Sequence, residues 1–166
     1  MIKVGEKLPD AIVFELIEDE RAGCTIGPNS FDVRGQTAGK RVVIFGLPGA
    51  FTPTCSAKHV PGYVEHAEQL RVAGIDEIWC VSVNDAFVMG AWGDNQGTGD
   101  KVDMLADGNG DFTRALGLEM DATRFGMGKR SQRFSMVVDN GVVTQLNVEA
   151  PGAFEVSSAD HMMALL

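Results

Sequence analysis

Cys55 stands three residues after Thr52 and seven after Pro48, in the stretch LPGAFTPTCSAKH that follows directly on the apolar run RVVIFGL. A cysteine used only for packing would be expected inside the run, whereas this one lies just beyond it, where a strand must give way to a turn and a helix. Unpaired N–H groups and the helix dipole make a helix N-terminus locally positive, which favours an anion. A thiol placed there loses its proton more readily than a free cysteine, whose pKa is about 8.5. Cys55 is therefore read as a nucleophile. Pro53 suits the first turn, since its fixed φ is already helical. Thr52 can turn its hydroxyl toward the thiolate or toward whatever the thiolate attacks. Pro48 and Phe51 keep the surroundings dry, which strengthens local electrostatics. Phe51, Pro53, Thr54 and His59, which flank the thiol, are the expected walls of a substrate pocket. The plainer alternative is a small buried hydrophobe at a helix start, as free cysteines often are.

A dithiol exchange enzyme would show CxxC at such a turn, but here the words are T-P-T-C, with Thr52 in the place of the first cysteine. A threonine cannot resolve a mixed disulfide, so dithiol exchange is excluded as the main activity. One activated thiolate beside a hydroxyl suits a small, polar, hydrogen-bond-accepting substrate, and a peroxide fits that description. Other candidates weigh less. Cys80 lies within the apolar WCVSV and reads as core, and Cys24 reads as an incidental thiol in a loop. His59 and His66 are seven apart and share a helix face, but two ligands without a third make a weak metal site, so no metal and no cofactor is expected. A Cys–His protease would need an oxyanion hole that nothing here supplies. GLPGAFTPT lacks the lysine of a phosphate loop.

The elements that must hold these residues alternate along the chain. Arg41 to Leu47 reads as a strand covered on both faces. Ser56 to Ala73 reads as a helix with Val60, Val64, Ala67 and Leu70 on one stripe, Gly74 as its stop, and Pro61 as a bend. Ile75 to Val83 is a second buried strand, and Asn84 or Asp85 can cap a helix through DAFVMGAW. Val102 to Ala106 is a short strand and Asp111 to Leu116 a short helix. RFSMVV and VVTQLNV flank Asp139-Asn140-Gly141, a hairpin signal, and Ser158 can cap a closing helix. The first 35 residues read as a separate strand pair with Gly23, Gly27 and Pro28 in turns. A βαβ unit followed by ββα gives an α/β domain of thioredoxin type, with a central mixed sheet flanked by helices.

Composition agrees with one domain over residues 1–166. At 166 residues with 45% hydrophobic content, roughly 70% of the unfolded chain's surface can be buried without staples. The net charge of −9 argues against a nucleic-acid partner. No apolar stretch approaches the ~20 residues of a membrane span, and MIKVGEKLPD has no secretory h-region. Three cysteines without CxxC point to a reducing, cytoplasmic setting.

The loop PGAFTPTCSAKHVPGY resembles the active-site loop of peroxiredoxins, whose motif is P-x-x-x-T-x-x-C. Pro48, Thr52 and Cys55 match it without a gap. VSVNDAFVMGAW, LADGNGDFTRALGL and RFSMVVDNGVV narrow the resemblance to the type-5 (plant type II) subfamily, from about Val4 to the C-terminus. The resemblance implies a thiol peroxidase. Its cysteine attacks the peroxide O–O bond and becomes a sulfenic acid, the threonine and an arginine hold the peroxide oxygens, and the proline shields the thiol. The matching arginine is Arg133, at the end of the basic cluster KRSQR, in which Lys129 and Arg130 read as a solvated face. Some relatives carry a resolving cysteine near the C-terminus, where this sequence has Ser157. Regeneration by an external thiol, glutathione with glutaredoxin or thioredoxin, is therefore expected, as no fused glutaredoxin domain is in the sequence. A peroxide sensor using the same cysteine is the alternative. Relatives pair beside the active site. NDAFVMGAW puts Ala86, Phe87, Met89, Ala91 and Trp92 on one short helix, more apolar surface than one face can bury, so a homodimer is expected.

Overall fold

The computed structural model describes residues 1–19 and 25–166; Cys24 and the expected turn at Gly23 lie outside them. Among the described residues nine strands follow in chain order: β1 (Ile12–Ile17), β2 (Gly27–Asp32), β3 (Arg41–Gly46), β4 (Glu77–Ser82), β5 (Asp103–Ala106), β6 (Glu119–Asp121), β7 (Lys129–Ser131), β8 (Phe134–Asp139) and β9 (Val142–Val148). Five α-helices of the described residues lie between or after them: α1 (Val33–Gln36), α2 (Val60–Val72), α3 (Ala86–Gln96), α4 (Asp111–Leu116) and α5 (Ala159–Leu165). Seven strands form one mixed sheet in the order β2-β1-β5-β4-β3-β8-β9, and β6 pairs with β7 apart from it. β3, β4 and β5 run parallel, while β8 joins β3 antiparallel. This is the α/β thioredoxin-like arrangement with helices on both faces.

Alternation along the central strands explains the two cores. In β3, Val43 and Phe45 face one apolar cluster while Val42 and Ile44 face the other, and β4 repeats this with Ile78 and Cys80 against Trp79 and Val81. Strands buried on both faces read as continuous apolar runs for this reason. Cys80 thus points to the same side as Cys55, into the cluster beneath α2 and α3. On α2, Tyr63 rather than Val64 is the fully buried member beside Val60, Ala67 and Leu70. The hairpin of β8 and β9 turns on Asn140 and Gly141, both at positive φ, which an Asn-Gly pair tolerates.

Three local expectations change. Gly27 and Pro28 open strand β2 instead of lying in a turn. Because β2 is an edge strand, a proline there removes no necessary ladder bond. The N-terminal strand pair is not separate either, since β1 also bonds to β5 through Phe14 and Ala106. The helix after Cys55 is not uniform: it opens at Pro53, widens to a π turn over Cys55–His59, and continues as α2. Val60 N–H reaches back to Cys55 O. Pro61 follows at once, and it has no N–H to donate while its ring crowds the preceding turn. One wide turn takes up that mismatch.

Candidate active site

The site forms where β3 ends. Antiparallel pairing sets Gly46 opposite Phe134, so Arg133, the residue before Phe134, arrives beside the loop that leads to Cys55. Gly46 is required by this approach, since a Cβ there would run into the Phe134 ring. Cys55 is fully buried. The first helical ladder bond runs from Ser56 N–H to Thr52 O at 2.9 Å, so the N–H groups ahead of it are the positive end expected from the sequence. Arg133 Nη2 donates to Cys55 Sγ at 3.1 Å. A full positive charge therefore sits against the sulfur, where a nucleophilic thiolate needs it.

The loop between strand and helix is held from several sides. Phe51 has φ 61°, a left-handed conformation unusual for an aromatic residue and a mark of local strain. Thr52 donates its hydroxyl to Gly49 O at 2.7 Å, closing the turn on itself. Asn84 Oδ1 accepts from Ala50 N–H at 3.0 Å and from the Ser82 hydroxyl at 2.6 Å. The α3 cap is therefore left to Asp85, which accepts from Val88 N–H. Arg130 donates to Pro48 O at 3.3 Å and to Met127 O at 2.9 Å, so it braces the loop instead of belonging to a solvated face. Lys129 pairs with Asp121 at the surface. Trp92 Nε1 donates to Ser56 Oγ at 3.0 Å, tying α3 to the residue next to the thiol.

His59 is fully buried, in the wall behind Arg133 and against the rings of Phe45, Tyr63 and Phe154. Burial, then the Arg133 charge, lowers its pKa to about 3, against weaker opposing effects of the Ser157 carbonyl and Glu149. Burial also raises the Tyr63 hydroxyl and the Cys80 thiol. His66 has other partners, Gly62 O and Asp160, so the two histidines are not joined in one site. Burial disfavours the Glu149 carboxylate, but the Ser157 hydroxyl and the N–H groups of Glu155, Ser157 and Val156 outweigh it and lower its pKa. A cavity of about 550 Å³ opens beside Arg133, with Thr54, Lys58, Pro151 and Phe154 among its lining residues. Pro53 and Phe51 lie exposed at the surface, and Pro48 is half-buried.

The sequence matches the Redoxin family model over residues 3–163. It is 47% identical to Peroxiredoxin-2B of Arabidopsis thaliana over 165 residues, covering 99% of this chain and 98% of that protein. The chain belongs to the type-5 (plant type II) peroxiredoxins. The structure of reduced Prx3 from Vibrio vulnificus in complex with hydrogen peroxide superposes on this peroxiredoxin with a TM-score of 0.92 at 52% identity, covering 99% of each chain. A Burkholderia cenocepacia chain described as a thioredoxin reductase is 69% identical, with a TM-score of 0.99 over 100% of this chain and 98% of that one. That description does not suit this peroxiredoxin, which has Thr52 where a dithiol would place its first cysteine.

As a peroxiredoxin, the chain is a thiol-dependent peroxidase with Cys55 as its peroxidatic cysteine, in contact with Arg133. Sequence reasoning named Pro48, Thr52, Cys55 and Arg133; the structure sets all four near the end of β3 and joins Arg133 to Cys55. It did not find Asn84 as a loop anchor, Arg130 as a brace, or the Glu149 and Ser157 loop. Only Asn84 carried a local signal, a polar residue at the C-terminal end of a parallel strand, where sites collect in α/β sheets.

Proposed function

We propose that this peroxiredoxin reduces hydrogen peroxide and alkyl hydroperoxides at Cys55 and is regenerated by an external thiol, glutathione with glutaredoxin or thioredoxin. The observation that carries the reading is the Arg133 contact to Cys55 Sγ at 3.1 Å. The thiolate attacks one peroxide oxygen, the O–O bond breaks, and the other oxygen leaves as water or an alcohol after taking a proton. Cys55 is left as a sulfenic acid. Arg133 supplies positive charge where the leaving oxygen becomes an anion. The Thr52 oxygen, whose hydrogen is turned to Gly49 O, keeps lone pairs for the O–H of the incoming peroxide. Pro48 shields the thiol from bulk water.

A first external thiol then condenses with the sulfenic acid, releasing water and forming a mixed disulfide. A second thiol displaces it as a disulfide and restores Cys55. An external reductant is favoured because 149–157 contains no cysteine and Ser157 is buried. Cys80 sits in β4 with no exposed surface, which suits a core role. The same cysteine usage supports a cytoplasmic setting. Among the described residues no helix is long and apolar enough to cross a membrane.

We also infer a homodimer. Trp92 and Met89 turn inward, but Phe87 remains 63% exposed and Phe51, which leans on Trp92 at 6.3 Å between rings, 54% exposed. The test is multiple-turnover peroxide loss with the glutathione/glutaredoxin and thioredoxin systems side by side. Turnover with at least one is expected, and failure with both overturns the external-thiol reading. Sedimentation of the reduced protein should show a dimer that Phe87→Asp weakens; a wild-type monomer overturns that part.

A further inference from the structure

Arg130 joins two segments that lie far apart along the chain, and the β6–β7 ribbon fixes where it starts from. Register sets it opposite Met120, and its Nε donates to Met127 O at 2.9 Å. Nη1 then reaches Pro48 O, 82 residues away in sequence, at 3.3 Å. Two carbonyls thus face the charge, and no carboxylate among the described residues pairs with it. Gly49 makes the approach possible. It is buried, and a Cβ there would stand 2.8 Å from Arg130 Nη1 and 3.4 Å from Thr52 Cγ2.

The loop needs such a hold. Phe51 sits at φ 61°, and a strained backbone persists where its surroundings over-determine it. Two restraints come from outside the turn: Asn84 on Ala50 N–H and Arg130 on Pro48 O. Pro48 O belongs to the peptide that enters Gly49, and Gly49 O is the acceptor of the Thr52 hydroxyl. Turning the first peptide carries the second with it.

We propose that Arg130 is a positioning residue for peroxide reduction: by fixing the Pro48–Gly49 peptide it keeps the Thr52 hydrogen on Gly49 O and the Thr52 lone pairs toward the incoming peroxide. The inference rests on the role given above to Thr52. Arg130 acts through the backbone, since the guanidinium on the sulfur is that of Arg133.

The readout is the second-order rate of Cys55 oxidation by hydrogen peroxide in a single turnover, measured across pH, with urea midpoints to confirm folding. Arg130→Lys keeps the charge but puts one ammonium in place of the fork that spans Met127 O and Pro48 O. Its rate should fall roughly 10- to 100-fold, the cost of a misplaced transition-state group, while the pH midpoint of the rate stays that of the wild type. Gly49→Ala keeps the arginine but pushes its guanidinium off Pro48 O, and should be slowed alike. In a Thr52→Val background Arg130→Lys should change the rate by less than about twofold, because its effect passes through Thr52. A wild-type rate in folded Arg130→Lys or in Gly49→Ala overturns the proposal. So does a loss explained by a moved pH midpoint, which would make Arg130 a charge acting on the thiol, or a loss equally large without the Thr52 hydroxyl. If Thr52→Val alone leaves the rate unchanged, the role given to Thr52 fails and the proposal with it.

Discussion

Replacing His59 by asparagine should make folding less sensitive to acid, by an amount that follows from the burial of the ring. The folded-state pKa is lowered from the ordinary 6.5 to about 3, first by burial and then by the Arg133 charge. A depressed folded value means that the unfolded chain takes up a proton which the folded chain refuses, so stability is present in full above the unfolded pKa and falls as pH drops toward the folded one. Each unit below about 6.5 costs about 1.4 kcal/mol. Between about pH 7 and about pH 5 the wild type therefore loses about 2 kcal/mol from this group. Asp103 acts in the opposite direction. Its pKa is raised to about 7, by burial first and then by Glu15 and Glu77, so it stabilises the folded state as pH falls from about 7 toward its ordinary value. The total for the wild type can thus look flat, and only the difference between the two proteins isolates His59. Urea unfolding of wild type and His59→Asn at about pH 7 and about pH 5 measures it: the wild type should lose about 2 kcal/mol more on acidification than the variant. Equal losses would refute the argument that a neutral ring is locked behind Arg133.

Gly46→Ala should destabilise the domain by about 1–3 kcal/mol, the usual cost of overpacking, because the new methyl would meet the Phe134 ring; urea midpoints read it, and cysteine oxidation should slow as Arg133 shifts. Asn84→Ala removes the acceptor shared by Ala50 N–H and the Ser82 hydroxyl. It should cost about 1–3 kcal/mol and slow single-turnover oxidation of Cys55, while the α3 cap at Asp85, and with it the helical circular dichroism, is retained.

What the sequence disclosed was whatever depends on neighbours along the chain. The apolar run of β3, the Asn140-Gly141 turn, and Ser158, whose oxygen accepts from His161 N–H, are each set by a few adjacent residues. T-P-T-C could be read the same way, since helix termini and turns are local. Arg133 needed the family resemblance, because only the β3–β8 register shows that it reaches Cys55. The π turn was hidden: Pro61 announces a disturbed helix, not whether it kinks or widens. Gly27 and Pro28 read as a turn because the sequence does not say that β2 lies at the sheet edge, where proline is tolerated. The contacts of Glu149, Ser157 and His59 join distant segments. Side-chain periodicity cannot encode such a contact.

The most direct test of the account is one equivalent of hydrogen peroxide added to the reduced protein, followed by peptide mass analysis, in parallel with Cys55→Ser. The account predicts one oxygen atom, or the trapped sulfenic acid adduct, at Cys55 in the wild type, and peroxide left unconsumed by Cys55→Ser. Oxygen found first at Cys80, or peroxide consumed by Cys55→Ser at a rate near that of the wild type, would contradict it.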